Sequence, residues 1–90
     1  MDFEWDEYKR LSNLEKHGVD FRDAAKIFVN PTLDRLDDRE RYPEVRSIAI
    51  GYYNGEFFVV IYTWRKNKRR IISAWKAGKN EKREYQKLFD

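Results

Sequence analysis

The residues best suited to chemistry are the cations around a predicted hairpin turn. Five of the six residues between positions 65 and 70 are Arg or Lys, and an apolar run precedes them: Arg65, Lys66, Lys68, Arg69 and Arg70. Like charges this close repel one another, and an anionic partner such as a nucleic acid would relieve that repulsion. A solvated turn is the alternative interpretation of the same run. The pattern therefore indicates either a polyanion-binding tip or an ordinary exposed hairpin.

Two arginines flank this turn in a way that suits phosphate binding. Antiparallel pairing of the strands would place Arg65 near Arg70, where forked guanidinium groups can hold one phosphate. Lys76 is the third candidate, because a regular pleat would put it on the same strand face as Arg70. The alternative for each of the three is a surface cation in a salt bridge. Three further cations are expected to add only diffuse attraction: Lys66, Lys68 and Arg69.

Capping residues and apolar spacing predict two helices near the start of the chain. After a short extended segment at positions 3–5, the first helix begins behind the N-cap Asp6 and ends at Gly18. Asp20 caps the second helix, which Asn30-Pro31 ends. One stripe of the first helix carries Tyr8, Leu11 and Leu14, and the buried face of the second carries Phe21, Ala24, Ala25 and Phe28.

The rest of the chain predicts strands and one more helix. A short edge strand and a loop occupy residues 32–44, and alternating residues make 46–53 a strand whose apolar face carries Ile48, Ile50 and Tyr52. Asn54-Gly55 predicts a hairpin turn into a central strand at about 56–64. The last strand runs from about 69 to 76, and a final helix from near Asn80 packs Tyr85, Leu88 and Phe89. We predict a two-layer α+β domain, in which two N-terminal helices and one C-terminal helix pack on an antiparallel meander of three to four strands.

Composition limits the classes of protein to consider. The 90 residues are 41% hydrophobic and 17% aromatic, which predicts one globular domain over residues 1–90. No apolar run is long enough to span a membrane, and the acidic start is unlike a secretory signal, so a cytoplasmic location is the expectation. Without cysteine and with one histidine, the chain is poorly equipped for a metal site, and we expect no metal or other cofactor.

Charge is divided unevenly along the chain. Residues 1–44 carry 8 Lys/Arg against 12 Asp/Glu, whereas residues 45–90 carry 11 against 4. A polyanion would therefore be drawn to the second half, unless folding brings acidic residues of the first half beside the basic ones.

Local motifs in a fixed order resemble the BrnT family of bacterial type II toxins, small ribonucleases with a RelE-like fold. The matching segments are these: Phe3-Glu4-Trp5-Asp6, Asn13, Lys16-His17-Gly18-Val19, Phe21, Ala24-Ala25, Phe28, Thr63, Arg65, Arg70-Ile71-Ile72-Ser73-Ala74, Lys76-Ala77, Glu81 and Tyr85. The resemblance implies RNA cleavage that inhibits translation, and neutralisation by a BrnA-like antitoxin. It also implies that operator DNA is bound only through the toxin-antitoxin complex.

The resemblance makes the basic residues candidates for catalysis. Cleaving RNA without a metal needs a group to accept the 2′-hydroxyl proton, cations to hold the phosphate, and a proton donor. Arg65, Arg70 and Lys76 are predicted as catalytic cations. Where the family pattern favours arginine after Ile-Ser-Ala, this chain has Trp75, which can stack on an RNA base or pack against the final helix.

Two residues are possible acids or bases, each with a structural alternative. His17 has the right intrinsic pKa, but it precedes the predicted helix stop, where a histidine commonly binds exposed carbonyls. Glu81 lies at the start of the last helix, where a carboxylate also stabilises the helix by itself.

A non-catalytic module that binds an antitoxin and acts as a co-repressor is the alternative function. The absence of RNA cleavage would distinguish this module from a ribonuclease. The predicted antitoxin contacts are the aromatic residues Trp64, Tyr52 and Tyr53.

Overall fold

A computed structural model describes residues 2–89 and shows a five-stranded sheet with helices on both faces. The strands are β1 (Phe3–Trp5), β2 (Leu33–Leu36), β3 (Ser47–Tyr53), β4 (Glu56–Arg65) and β5 (Lys68–Lys76). Their order across the sheet is β1-β5-β4-β3-β2. All neighbouring strands are antiparallel except β1 and β5, which are parallel. The α+β class is confirmed, and β4 is central as predicted.

The prediction of an antiparallel meander of three to four strands was wrong at one edge of the sheet, where a fifth strand pairs in parallel. Residues 3–5, expected to be only extended, form the fifth strand and pair Phe3, Glu4 and Trp5 with residues 69–71. Phe3 and Trp5 pack against the core while Glu4 points to the other face. A strand of three residues is too short for its alternation to identify it in the sequence.

The helices are α1 (Glu7–His17), α2 (Phe21–Ala24), a 3₁₀ helix (Ala25–Val29) and α3 (Lys79–Phe89). The predicted second helix therefore has one α-helical turn, and the tighter 3₁₀ winding ends it before Pro31. The predicted caps are confirmed, because Asp6 and Asp20 accept backbone N–H groups and Gly18 is left-handed at φ 69°. None of the helices in residues 2–89 is long and apolar enough to cross a membrane.

Two apolar clusters lie on opposite faces of the sheet, so the predicted two-layer arrangement was also wrong. The first cluster joins α2 and the 3₁₀ helix to Phe58, Val60 and Tyr62 of β4. The second joins α3, through Tyr85, to Val59 and Ile61 of the same strand. The sheet is thus covered on both faces. In α3 the predicted packing holds for Tyr85, whereas Leu88 is 59% exposed.

The small residues of β3 allow close packing on its second face. We predicted one apolar face for this strand, but Ala49 and Gly51 on the opposite face are buried as well. A Cβ atom at Gly51 would lie 2.7 Å from the Cβ of Ile27, so the 3₁₀ helix can approach only because this residue lacks a side chain.

A polar residue, rather than the predicted apolar stripe, attaches α1 to the sheet. Tyr8 and Leu11 are 81% and 52% exposed, while Asn13 is buried. The Asn13 amide donates to the carbonyl oxygens of Ala74 (2.8 Å) and Val19 (2.9 Å) and accepts from the Ala74 N–H (3.2 Å). The Asn13 side chain thus occupies the edge of β5 beyond the end of β1.

A β-bulge in β5 changes which residues share a face. Ile61 pairs with Ser73 but Tyr62 pairs with Ile71, so Ile72 is an extra residue on β5. Beyond the bulge the alternation is shifted by one residue. Arg70, Ser73 and Trp75 therefore share the α3 face, and Lys76 lies on the opposite face. The prediction that Lys76 and Arg70 share a face was wrong because it assumed a regular pleat.

Candidate functional site

The two arginines that flank the β4–β5 turn meet at one carboxylate. The Arg70 Nη1 lies 2.8 Å from the Oε2 of Glu4, and the Arg65 Nη1 lies 3.6 Å from the same oxygen. The strand register explains the contact, since Glu4 of β1 is paired with Arg70 of β5. We call Glu4, Arg65 and Arg70 the arginine cluster. It has two cationic groups and one anionic group, which leaves a net positive charge.

The electrostatics of the cluster keep Glu4 ionised. A hydrogen bond from Arg70 is the main cause that lowers the pKa of Glu4, and the charge of Arg65 adds to it, while partial burial acts in the opposite direction. The side chains of Glu4 and Arg70 are 28% and 30% exposed, and that of Arg65 is 59% exposed. An anionic ligand in solvent can therefore reach the guanidinium groups.

A second cationic site lies on the same sheet face, around Trp75. A cavity of about 470 Å³ is lined by Lys16, His17, Arg39, Ser73 and Trp75. The His17 ring centroid lies 5.9 Å from that of Trp75, and the Arg39 guanidinium carbon lies 5.8 Å from the indole centroid. Aromatic and guanidinium groups gathered around one cavity suit a nucleobase.

An adjoining cavity extends this site along α1. It measures about 330 Å³ and shares Lys16, His17 and Ser73 with the first cavity, adding Lys9 and Ser12 among its lining residues. We call the two cavities together the basic groove. Within residues 2–89, neither cavity has Asp or Glu in its lining. The groove therefore presents positive charge without a carboxylate at its surface.

Two buried polar contacts hold the groove in shape. Asn13 attaches α1 to Ala74, and the same helix ends with Lys16 and His17. On the other side, the buried Asp37 carboxylate accepts hydrogen bonds from the Arg39 Nε (2.8 Å) and Nη2 (2.9 Å). These bonds lower the pKa of Asp37 and keep it charged. The Arg39 guanidinium near Trp75 is therefore held by the charged Asp37 carboxylate.

The other predicted cations lie outside these sites. Lys76 pairs with Glu56 at 3.8 Å and lines a different cavity, of about 390 Å³, together with Asp20 and Asp23. The acidic neighbours make that cavity unfavourable for a phosphate.

The basic residues of the β4–β5 hairpin have different surroundings. The Arg69 guanidinium carbon lies 4.1 Å from the ring centroid of Phe28 and 4.5 Å from that of Trp64. Arg69 thus packs on aromatic rings, on the face opposite the arginine cluster. Lys66 lies in the turn at φ 48°, and Lys68 is exposed beside Arg65.

The two possible acids or bases differ in position. The Glu81 Oε1 accepts the Gly78 N–H at 2.6 Å, which is the capping interaction expected at the start of α3. His17 lines both cavities of the basic groove. Of the two, the structure brings only His17 into the groove.

The three aromatic residues predicted to bind an antitoxin are exposed but do not form one surface. Trp64, Tyr52 and Tyr53 are 54%, 37% and 37% exposed. Tyr52 pairs with Phe57 at one end of β4, and Trp64 lies seven residues further along that strand. At 3.3 Å per residue the separation is about 23 Å. Antitoxin binding at either end stays a prediction.

Sequence reasoning missed three residues of these sites: Glu4, Lys16 and Arg39. In the sequence Glu4 stands between the apolar residues Phe3 and Trp5, but an alternation of three residues is too short to identify a strand by itself. Arg39 lies in the loop between β2 and β3, and no local pattern connects it to Trp75.

The fold and these sites define a small α+β domain suited to an anionic ligand. The chain belongs to the BrnT family, because the sequence model of that family, described as "Ribonuclease toxin, BrnT, of type II toxin-antitoxin system", matches residues 5–81. The resemblance inferred from the motifs is thereby confirmed. No curated protein matches the chain.

Proposed function

We propose that this protein is an endoribonuclease toxin that binds the scissile phosphate of RNA at Arg65 and Arg70. The observation that carries the proposal is the approach of both guanidinium groups to one Glu4 oxygen, at 3.6 and 2.8 Å. Two groups that share one carboxylate oxygen can also share one phosphate. Membership in a family of ribonuclease toxins supports the choice of RNA as the substrate.

The positions of the two sites suggest a path for the RNA strand. Arg70 and Trp75 project from the same face of β5, and with the bulge they are separated by about four regular positions. That spacing is about 13 Å. We therefore propose that nucleotides beside the scissile phosphate follow the basic groove and that one base stacks on Trp75. Lys66 and Lys68 would add diffuse attraction for the strand.

The proposed chemistry is attack of a 2′-hydroxyl on the adjacent phosphate without a metal ion. The two arginines stabilise the negative charge that develops on the phosphate oxygens. Trp75 contributes binding and position rather than charge. In the cell we expect a BrnA-like antitoxin to neutralise the protein, and operator DNA to be contacted only by the complex of the two.

One observation favours the second candidate, a non-catalytic antitoxin-binding module. In the free chain Glu4 already pairs with both arginines, so a phosphate must compete with an internal carboxylate. If the RNA phosphate cannot displace Glu4 from the two arginines, the protein would keep its fold and its antitoxin-binding surface but would not cleave RNA.

The experiment is cleavage of a labelled single-stranded RNA by purified, partner-free protein in EDTA. We expect cleavage that falls at least tenfold in each of Arg65→Ala and Arg70→Ala, on the order of 1.4 kcal/mol of lost transition-state stabilisation. The matched control is Arg35→Ala, since Arg35 also pairs with a carboxylate, Glu84, but belongs neither to the arginine cluster nor to the basic groove.

Each result has a definite meaning when all variants are shown to be folded. Equal cleavage by the native chain and both arginine variants would refute the proposed site. Absence of cleavage on free RNA and on translating ribosomes would refute the ribonuclease and support the binding module.

A further inference from the structure

The arginine cluster contains one group that phosphate binding alone does not need. Among residues 2–89, Glu4 is the carboxylate that contacts both Arg65 and Arg70. A carboxylate between two phosphate-binding cations weakens anion binding, so its presence calls for a function of its own.

The position of Glu4 is fixed by the sheet rather than by a flexible loop. Its backbone pairs with Arg70 in the parallel β1–β5 ladder, and the residues on either side, Phe3 and Trp5, pack against the core on the opposite face. The Trp5 and Phe21 ring centroids are 6.2 Å apart. The Glu4 side chain is therefore held on the face that carries the arginines.

We propose that Glu4 is a catalytic residue that accepts the proton of the attacking 2′-hydroxyl. This inference rests on the proposed function. A phosphate that bridges Arg65 and Arg70 lies next to the Glu4 carboxylate, because both arginines contact its Oε2. The 2′-hydroxyl adjacent to that phosphate is then within reach of the carboxylate, which is the geometry that general base catalysis requires.

The proposed step is a transesterification at the scissile phosphate. The O2′–H bond breaks and its proton moves to the Glu4 carboxylate, while the O2′ forms a bond to phosphorus. The P–O5′ bond breaks, and the leaving 5′-oxygen takes a proton from water. Glu4 then returns its proton to the hydroxide formed from that water. The products are a 2′,3′-cyclic phosphate and a 5′-hydroxyl.

Substrate binding would make Glu4 a stronger base. In the free chain the hydrogen bond from Arg70, with the charges of Arg65 and Lys68, lowers the pKa of Glu4, which keeps the carboxylate ionised but makes it a weak base. When a phosphate takes the guanidinium hydrogen bonds, the largest of these effects is removed. The basicity of Glu4 then rises at the moment the substrate is in place.

The test compares cleavage of a single-stranded RNA with binding of its all-2′-deoxy counterpart, which has the phosphates but lacks the attacking hydroxyl. For Glu4→Gln we expect cleavage to fall at least about a hundredfold. Binding of the deoxy strand should be unchanged or tighter, because a negative charge beside the arginines is lost. The matched control is Glu84→Gln, which also removes a carboxylate from an arginine ion pair.

The outcomes separate this inference from the proposed function. Cleavage by Glu4→Gln within threefold of the native rate would overturn the role of Glu4 and leave the ribonuclease intact. A loss of cleavage matched by an equal loss of deoxy-strand binding would also overturn it, since Glu4 would then only position the arginines. No cleavage by the native chain would refute the ribonuclease itself.

The native chain provides a second test that does not depend on the folding of a variant. If Glu4 is the base, kcat/KM should decline only below about pH 4.3, the ordinary value for glutamate, because the pKa of Glu4 is lowered in the free protein. An acid limb at a higher pH that disappears in His17→Gln would assign the base to His17 and overturn the proposal.

Discussion

Replacing Asn13 with alanine should destabilise the protein more than any single exposed polar substitution. Asn13 is 7% exposed, and its amide bonds the N–H and C=O of Ala74 and the C=O of Val19. In Asn13→Ala these three buried backbone groups lose their partner. The hydroxyl of Ser73, which also donates to Asn13, is half-buried and can turn to water.

The magnitude follows from the number of groups left unsatisfied. A buried donor or acceptor without a partner costs roughly 1–3 kcal/mol. Water that enters the space left by the amide will form hydrogen bonds with some of these three backbone groups. We therefore expect a loss of about 3 kcal/mol in the free energy of unfolding. At about 4–8 °C per kcal/mol for a domain of this size, the midpoint should fall by roughly 10–25 °C.

Urea unfolding followed by tryptophan fluorescence measures the loss. The matched control is Asn30→Ala, because Asn30 donates to the Tyr52 carbonyl at an exposed site. In Asn30→Ala, water can take the place of the Asn30 amide at the Tyr52 carbonyl, and the loss in the free energy of unfolding should stay below about 1 kcal/mol. If Asn13→Ala is no less stable than Asn30→Ala, the reasoning about buried backbone partners is refuted. RNA cleavage should fall along with stability, since α1 also carries Lys16 and His17.

Three further predictions concern single side chains. The hydrogen bond from Arg22 lowers the pKa of the buried Asp20 to about 2, so stability of roughly 2 kcal/mol should be present above pH 4 and lost as the pH falls toward 2. Asp20→Asn should remove that part of the pH dependence of unfolding, and an unchanged profile would contradict the assignment. Trp75→Ala should weaken binding of single-stranded RNA by roughly 1–3 kcal/mol in fluorescence anisotropy, with Trp75→Phe restoring most of it; equal affinities would exclude stacking. Lys76→Ala should cleave RNA within about threefold of the native rate because the bulge separates it from Arg70, and a tenfold loss would show that Lys76 acts in the site.

Local features of the fold were predictable because neighbouring residues determine them. Asp6 and Asp20 cap helices through their own side chains, and Gly18 ends α1 in the left-handed conformation. The β3–β4 turn has φ values of 51° at Asn54 and 86° at Gly55, which these residue types favour. The continuous apolar run that makes β4 apolar on both faces correctly predicted its central position.

Features that depend on distant residues were not predictable in the same way. The three residues of β1 are short for a strand, and only their pairing with β5 shows that Glu4 meets the arginines. The bulge at Ile72 results from the fit between β4 and β5, and it separates Lys76 from Arg70. Arg39 reaches Trp75 because the buried Asp37 holds it there, across a loop that no periodic pattern describes.

By itself, the sequence of this protein determined the helix caps, the hairpin turns, the central strand, the family and the pair of arginines beside the turn. These depend on short-range hydrogen bonding, on backbone preference and on the order of local motifs. Only the tertiary structure decided that Glu4 lies between the arginines, that Trp75 rather than Lys76 shares their face, and that Asn13 holds the groove together. Strand register and the bulge set these relations, and both arise from contacts between segments up to 66 positions apart.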